Sequence, residues 1–167
     1  MATKRILITG MSGTGKSAVV TALSARGFRA VDLDTPDWSE WVDADPSDEL
    51  TPAPGKDWLW KEDRIRALLQ TADEGRLFVG GCAENMGRLF SLIDVIVLLS
   101  APLDTIMARL ESRSPEAYGS TSDERRKIAR LIGTVEPALR ASAHHEIDTS
   151  GPIDETVDKI LKAALGT

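Results

Sequence analysis

With 167 residues, 42% of them hydrophobic and 28% charged, the chain has the size and composition of one globular domain able to bury a core without staples. A formal net charge of −6 argues against nonspecific attraction to nucleic acid or to an anionic membrane. No apolar run is long enough to span a membrane, no leader pattern precedes the first strand, and the single cysteine, Cys82, excludes an internal disulfide, so a cytoplasmic protein is expected, as a monomer or weak homodimer.

In chain order, Arg5–Thr9 reads as a short buried strand and Ala18–Ala25 as a helix. Between them Gly10-Met11-Ser12-Gly13-Thr14-Gly15-Lys16-Ser17 satisfies G-x-x-x-x-G-K-[ST] in the strand–loop–helix setting that the motif requires. Glycines let this backbone close around phosphate, and the amides at the helix start, up to Ala18, point at it. Lys16 is placed to reach β- and γ-phosphates and the Ser17 hydroxyl to ligate Mg²⁺, so the loop predicts a nucleoside triphosphate. Arg29–Asp32 is a second strand ending in Asp32-Leu33-Asp34. Residues 35–56 are acidic, rich in proline and read as irregular. A long helix is expected from about Trp58 to Asp73, closed by Glu74-Gly75.

Leu77–Val79 is the third strand and runs into Gly80-Gly81. A short helix over Asn85–Leu92 leads to the most apolar strand, Val95–Leu99, and another helix spans Leu103–Ser112. Pro115 and Gly119 interrupt the pattern between Ser114 and Thr121. Ser120-x-x-Asp123 then reads as a capping box for a helix reaching Ala141. Glu146–Asp148 is the fifth strand, 149–152 a turn, and Ile153–Leu165 the last helix. Such alternation predicts an α/β domain over 1–167: three layers, a five-stranded parallel sheet with helices on both faces, and a lid. Ligands in this architecture sit beyond the carboxyl ends of the strands, where the loop after Thr9, Asp32–Asp34, Gly80–Cys82 and the turn after Asp148 converge.

On these residues the chain resembles the shikimate kinase and adenylate kinase group of small P-loop phosphotransferases, and is similar to bacterial AAA-type, kinase-like ATPases. The resemblance implies ATP as donor with Mg²⁺. It implies that Asp32 holds the hydration shell of the metal, while Asp34 accepts a hydrogen bond from the acceptor hydroxyl and serves as its base. Gly80-Gly81-Cys82 corresponds to a substrate-side Gly-Gly-Gly, Arg140 to a substrate arginine, and residues 113–122 to a mobile lid. The turn Thr149-Ser150-Gly151-Pro152 corresponds to the adenine-side loop, with Ser150 and Pro152 its nucleotide-binding candidates.

The acceptor region, 35–60, departs from that group. Between Val31 and Thr51 there is no lysine or arginine, whereas there are eight carboxylates, from Asp32 to Glu49. Like charges about 4 Å apart at an effective dielectric of 20 repel by roughly 4 kcal/mol, which disfavours a carboxylate or phosphate acceptor. All four tryptophans lie in or beside this segment. They read either as a local core or as a platform for a base, sugar face or cation, with Trp38 and Trp58 the contact candidates. Set on a helix, Trp58 and Trp60 would point in different directions. Arg109 and Arg113, four apart, would share a helix face, one stacking on adenine and the other meeting the transferring phosphoryl group. Asn85 and Arg88 are weaker acceptor-site candidates.

The function these readings favour is an ATP- and Mg²⁺-dependent kinase acting on a hydroxyl of a small neutral or cationic acceptor, nucleoside- or sugar-like. A nucleoside monophosphate or shikimate-type kinase and an ATP-dependent switch or assembly ATPase are the alternatives.

Overall fold

The fold was analysed in a computed structural model that describes residues 4–71 and 75–166. Five parallel strands form the main sheet: β1 (Lys4–Thr9), β2 (Arg29–Asp32), β5 (Arg76–Gly80), β6 (Val95–Ser100) and β7 (His145–Asp148), in the order β2-β5-β1-β6-β7. β1 lies at the centre because its apolar run can be covered on both faces. Alternation decides which side chain meets which layer. Ile6, Ile8, Phe78, Val97 and Leu99 enter one core with α1 (Lys16–Ala25) and α5 (Ile153–Leu165). Leu7, Leu77, Val79, Ile96 and Leu98 enter the other, with α2 (Glu62–Leu69), the 3₁₀ segment Glu84–Leu92 and the end of α4 (Ser122–Ser142). Each large aliphatic so buried contributes about 1.5–3 kcal/mol. α3 (Leu103–Glu111) packs on α4 through Ile106, Leu110 and Ile128. Among the described residues no helix is long and apolar enough to cross a membrane.

The five strands and the last helix stand where the apolar pattern predicts them. The acidic segment does not. Ser39–Asp43 (β3) and Lys56–Trp60 (β4) pair as an antiparallel hairpin, Ser39 opposite Trp60 and Trp41 opposite Trp58. α2 therefore begins at Glu62 rather than Trp58 and ends at Leu69, capped by Gln70, short of the expected Asp73; Asp73 and Glu74 themselves lie outside the described residues. The reason is local: aromatic and branched residues at Trp41, Val42, Trp58, Leu59 and Trp60 suit a pleated surface, and the first two acidic residues able to open a helix are Glu62 and Asp63. The α4 cap also moves by one residue. Thr121 accepts from Glu124 N at 3.1 Å, completing Thr-x-x-Glu, while Ser120 Oγ donates to Pro115 O at 2.9 Å.

Candidate functional site

Because all five strands run parallel, Gly10, Asp32, Gly80, Ser100 and Asp148 follow or end their strands along one rim. The glycine loop is shaped by the chain around it. Gly13 has φ +84°, and a Cβ there would stand 2.7 Å from Ile106 Cγ2. Thr14 ties the loop to itself, its Oγ1 donating to Met11 O at 2.6 Å. Lys16 Nζ donates to Gly10 O at 2.6 Å and Met11 O at 3.1 Å, which holds the ammonium across the mouth of the loop. Ser12 and Gly15 complete the loop, half-buried, and Ala18 lies exposed in the first turn of α1.

Ser17 Oγ donates to Asp32 Oδ2 at 2.8 Å. These two side chains, far apart in sequence, meet beside Lys16 and present oxygen donors only, the type that a hard cation such as Mg²⁺ requires. Among the described residues no group of three or more His, Cys, Asp or Glu is arranged to hold a metal by itself. A cation here would share Ser17 and Asp32 with phosphate oxygens and water.

Asp34 lies two residues further on. Its carboxylate accepts from Cys82 N at 3.2 and 3.3 Å and from Trp60 Nε1 at 3.4 Å, while its own amide donates to Asp32 Oδ1 at 3.0 Å. Burial pushes the Asp34 carboxyl above the usual carboxylate range, with the Asp32 charge adding to it and Lys16, the Cys82 amide and the Trp60 indole opposing it. Burial likewise raises the Cys82 thiol, so Cys82 is a small rim residue with a protonated sulfur. The glycines before it serve the protein's own packing. A Cβ on Gly80 would meet Val20 Cγ2 at 2.6 Å, and one on Gly81 would meet Asp34 Oδ1 at 2.8 Å and the Trp60 ring at 3.2 Å.

On a strand, Trp58 and Trp60 share a face, contrary to the helical expectation, and both indoles reach Asp34: Trp58 Nε1 donates to its carbonyl at 3.0 Å. Trp60, 3% exposed, takes the local-core alternative open to the tryptophans, and its reach to Asp34 comes from the strand that the sequence reads as helix. Trp58 also packs edge-to-face on Trp41, centroids 5.1 Å apart. Trp38 carries the Arg64 guanidinium 4.7 Å above its ring, so one face is already covered from within the chain. Lys56 is paired with Asp43, Lys61 donates to Pro36 O at 3.0 Å, and Arg88 reaches Glu62 at 3.3 Å.

Arg109 and Arg113 part company, because α3 ends at Glu111 and Arg113 lies beyond it. Arg109 Nη1 donates to Gly13 O at 3.1 Å and to Thr149 Oγ1 at 3.0 Å, and Nη2 donates to Thr149 O. Thr149 Oγ1 in turn donates to Thr14 O at 2.7 Å, which couples the glycine loop to the β7–α5 turn that the sequence singles out at 149–152. Ser150 N donates to Asp148 Oδ1 at 2.7 Å, and Pro152 is the N-terminal flanking residue of α5. Arg113 Nη1 donates to Tyr118 O at 2.7 Å, and burial lowers its proton affinity. Arg125 Nη1 donates to Ser120 O at 2.5 Å, so carbonyls of the segment between α3 and α4 are gripped from both flanks. Arg140 stands apart. It pairs with Glu146 at 2.6 Å and Glu136 at 3.0 Å, and Glu146 belongs to edge strand β7, whereas Asp34 follows the opposite edge strand β2.

The family model described as AAA domain matches residues 6–130, more than half of the chain. No curated protein matches it. Among solved structures, the shikimate kinase from Acinetobacter baumannii in complex with shikimate is similar with a TM-score of 0.64 at 20% identity, over 98% of this chain and 93% of that one. A gluconokinase from Sinorhizobium meliloti 1021 aligns with a TM-score of 0.59 at 19% identity, over 96% and 91% of the two chains. A sugar kinase from Janibacter sp. HTCC2649 aligns with 0.54 at 16%, over 96% and 93%. The shared feature at these identities is the fold.

Proposed function

The chain belongs to the AAA domain family, and on that premise we propose that it is an ATP- and Mg²⁺-dependent kinase for a hydroxyl of a small neutral or cationic acceptor. The observation that carries the reading is the meeting of Ser17 with Asp32 at 2.8 Å beside Lys16, with Asp34 held next to them by the Cys82 amide. The likeness in fold to a shikimate kinase, a gluconokinase and a sugar kinase supports the same class.

In this reading the amides of residues 10–18 cradle the triphosphate, and Lys16 leaves the Gly10 and Met11 carbonyls for the β- and γ-phosphates. Ser17 and Asp32 hold Mg²⁺, which when bound neutralises charge on the β- and γ-phosphoryl oxygens. Asp34 takes the proton of the acceptor hydroxyl as its oxygen bonds to the γ-phosphorus. The bond from that phosphorus to the bridging oxygen breaks, and ADP leaves with the electron pair. A carboxylate with raised proton affinity suits a base that works near neutral pH. Residues 113–122, gripped by Arg113 and Arg125, act as a lid, and residues 35–60 receive the acceptor. Its neutral or cationic character follows from Asp34 and from the engagement of Lys56, Lys61, Arg64 and Arg88 with other groups.

The test is an acceptor screen with Mg²⁺ and ATP, read as a mass gain of about 80 Da for one phosphoryl group. Nucleosides and aminated sugars are expected to gain it. Gain on nucleoside monophosphates or shikimate alone would refute the acceptor class. Steady ATP hydrolysis with no acceptor modified would favour the switch ATPase.

A further inference from the structure

Trp60 closes β4 in register with Ser39, but its peptide N–H and C=O both point to the edge of β4 away from that hairpin partner. Among the described residues no strand lies on that edge, so the two groups would be left without partners, a costly state for a residue 3% exposed. Asn85 takes both groups. Its Oδ1 accepts from Trp60 N at 3.1 Å, and its Nδ2 donates to Trp60 O at 3.0 Å and to Glu62 Oε1 at 3.2 Å. One side-chain amide, 6% exposed, thereby joins the end of the hairpin, the start of α2 and the 3₁₀ segment behind Gly81-Cys82. With its amide spent on these partners, Asn85 is not available to an acceptor. A carboxamide serves both groups at once, whereas a carboxylate lacks the donor and an aliphatic lacks both functions.

Trp60 is in turn what closes over Asp34. Its ring lies against Gly81, and its Nε1 donates to Asp34 Oδ1. The other groups acting on that carboxylate are Lys16 from α1, Asp32 from β2 and the Cys82 amide after β5. Trp60 alone among them belongs to the separate two-stranded hairpin, so its placement depends on how that hairpin is docked.

We infer that Asn85 is a positioning residue for the acceptor site: it fixes Trp60, and through Trp60 the Asp34 carboxylate. Its catalytic meaning rests on Asp34 being the base proposed above, but the geometric link can be tested without that reading. The Trp60 indole N–H resonance would be followed by NMR in the full-length protein, together with the backbone amide resonance of Cys82, whose N–H donates to the Asp34 carboxylate. In Asn85→Leu, and in the milder Asn85→Asp, both resonances should move, as Trp60 and with it the Asp34 carboxylate leave their places. Affinity for MgADP should stay within about twofold, because the glycine loop is untouched. Trp60→Phe keeps an aromatic ring but loses the N–H donor, so the Cys82 amide resonance should move there as well.

A purely structural Asn85 would change the melting temperature and leave both resonances in place, which would overturn the inference. So would an unchanged Cys82 amide resonance in Trp60→Phe, because Trp60 would then not hold the Asp34 carboxylate, and this variant decides the matter even where neither Asn85 variant folds. Absence of phosphoryl transfer to every acceptor would remove the kinase reading and leave these shifts standing.

Discussion

Gly81→Ala tests the acceptor side of the site with a single methyl group. The added Cβ would stand 2.8 Å from Asp34 Oδ1 and 3.2 Å from Trp60 Cζ2 and Nε1. Comfortable contacts of a methyl carbon begin near roughly 3.3–3.5 Å, so the carboxylate must retreat by about 0.5–0.7 Å and the indole by a few tenths. Gly81 is not among the positive-φ glycines, so the backbone accepts alanine and the whole cost is packing. Overpacking of this kind costs about 1–3 kcal/mol. At roughly 2–4 °C per kcal/mol for a chain of this size, the melting temperature should fall by about 2–12 °C. Asp34 would also be driven off the Cys82 amide, and a half-ångström misplacement of a base should slow transfer by roughly tenfold. MgADP affinity, measured by calorimetry, should hold. Gly133→Ala is the control, the same change in α4 where nothing lies within 4 Å, and it should stabilise by about 0.5–1 kcal/mol. A Gly81→Ala protein that melts and transfers like wild type would refute the packing account of this rim.

Asp34→Asn should retain MgADP binding and lose transfer by about 10²–10⁴-fold in the coupled assay. The same variant should be more heat-stable than wild type. The folded Asp34 carboxyl is raised above its unfolded value, so its penalty is absent at low pH and develops as pH rises through the raised value. The gap between the two melting curves should therefore open from acid toward neutral pH; a gap constant with pH would contradict it. Thr149→Val removes a buried hydroxyl from Thr14 O and Arg109, a loss of about 1–3 kcal/mol, and should weaken MgADP binding by roughly tenfold or more with acceptor KM unchanged. Unaltered nucleotide affinity would show that this latch does not hold the loop. Arg140→Ala should leave acceptor KM unchanged, because the guanidinium is engaged by Glu146 and Glu136. Its small stability loss should vanish in acid: the Arg140 hydrogen bond holds the Glu146 carboxyl below its usual range, a contribution lost as pH falls through that lowered value. A large rise in acceptor KM would instead place Arg140 in the site.

The chain's own letters determined the sheet, the last helix and the donor side. Apolar runs such as Ile6–Ile8 and Val95–Leu99 are long enough to declare strands, and Gly10–Ser17 encodes its turn through residues that few other backbones need. Ser17 and Asp32 were legible as partners because the ends of parallel strands must converge. The acceptor side was not legible, because its decisive facts are pairings between segments. Whether Trp58 and Trp60 point apart or together depends on helix or strand, and that depends on Ser39–Asp43 lying alongside. Glycine at 81 is explained only by the indole and carboxylate that arrive from elsewhere. Arg109 and Arg113 look equivalent until the helix ends between them, and Arg140 looks free until Glu146 is seen beside it. Local pattern suffices where a residue's partner is solvent, phosphate or its own strand; where the partner is a side chain from a distant segment, only tertiary structure decides the role.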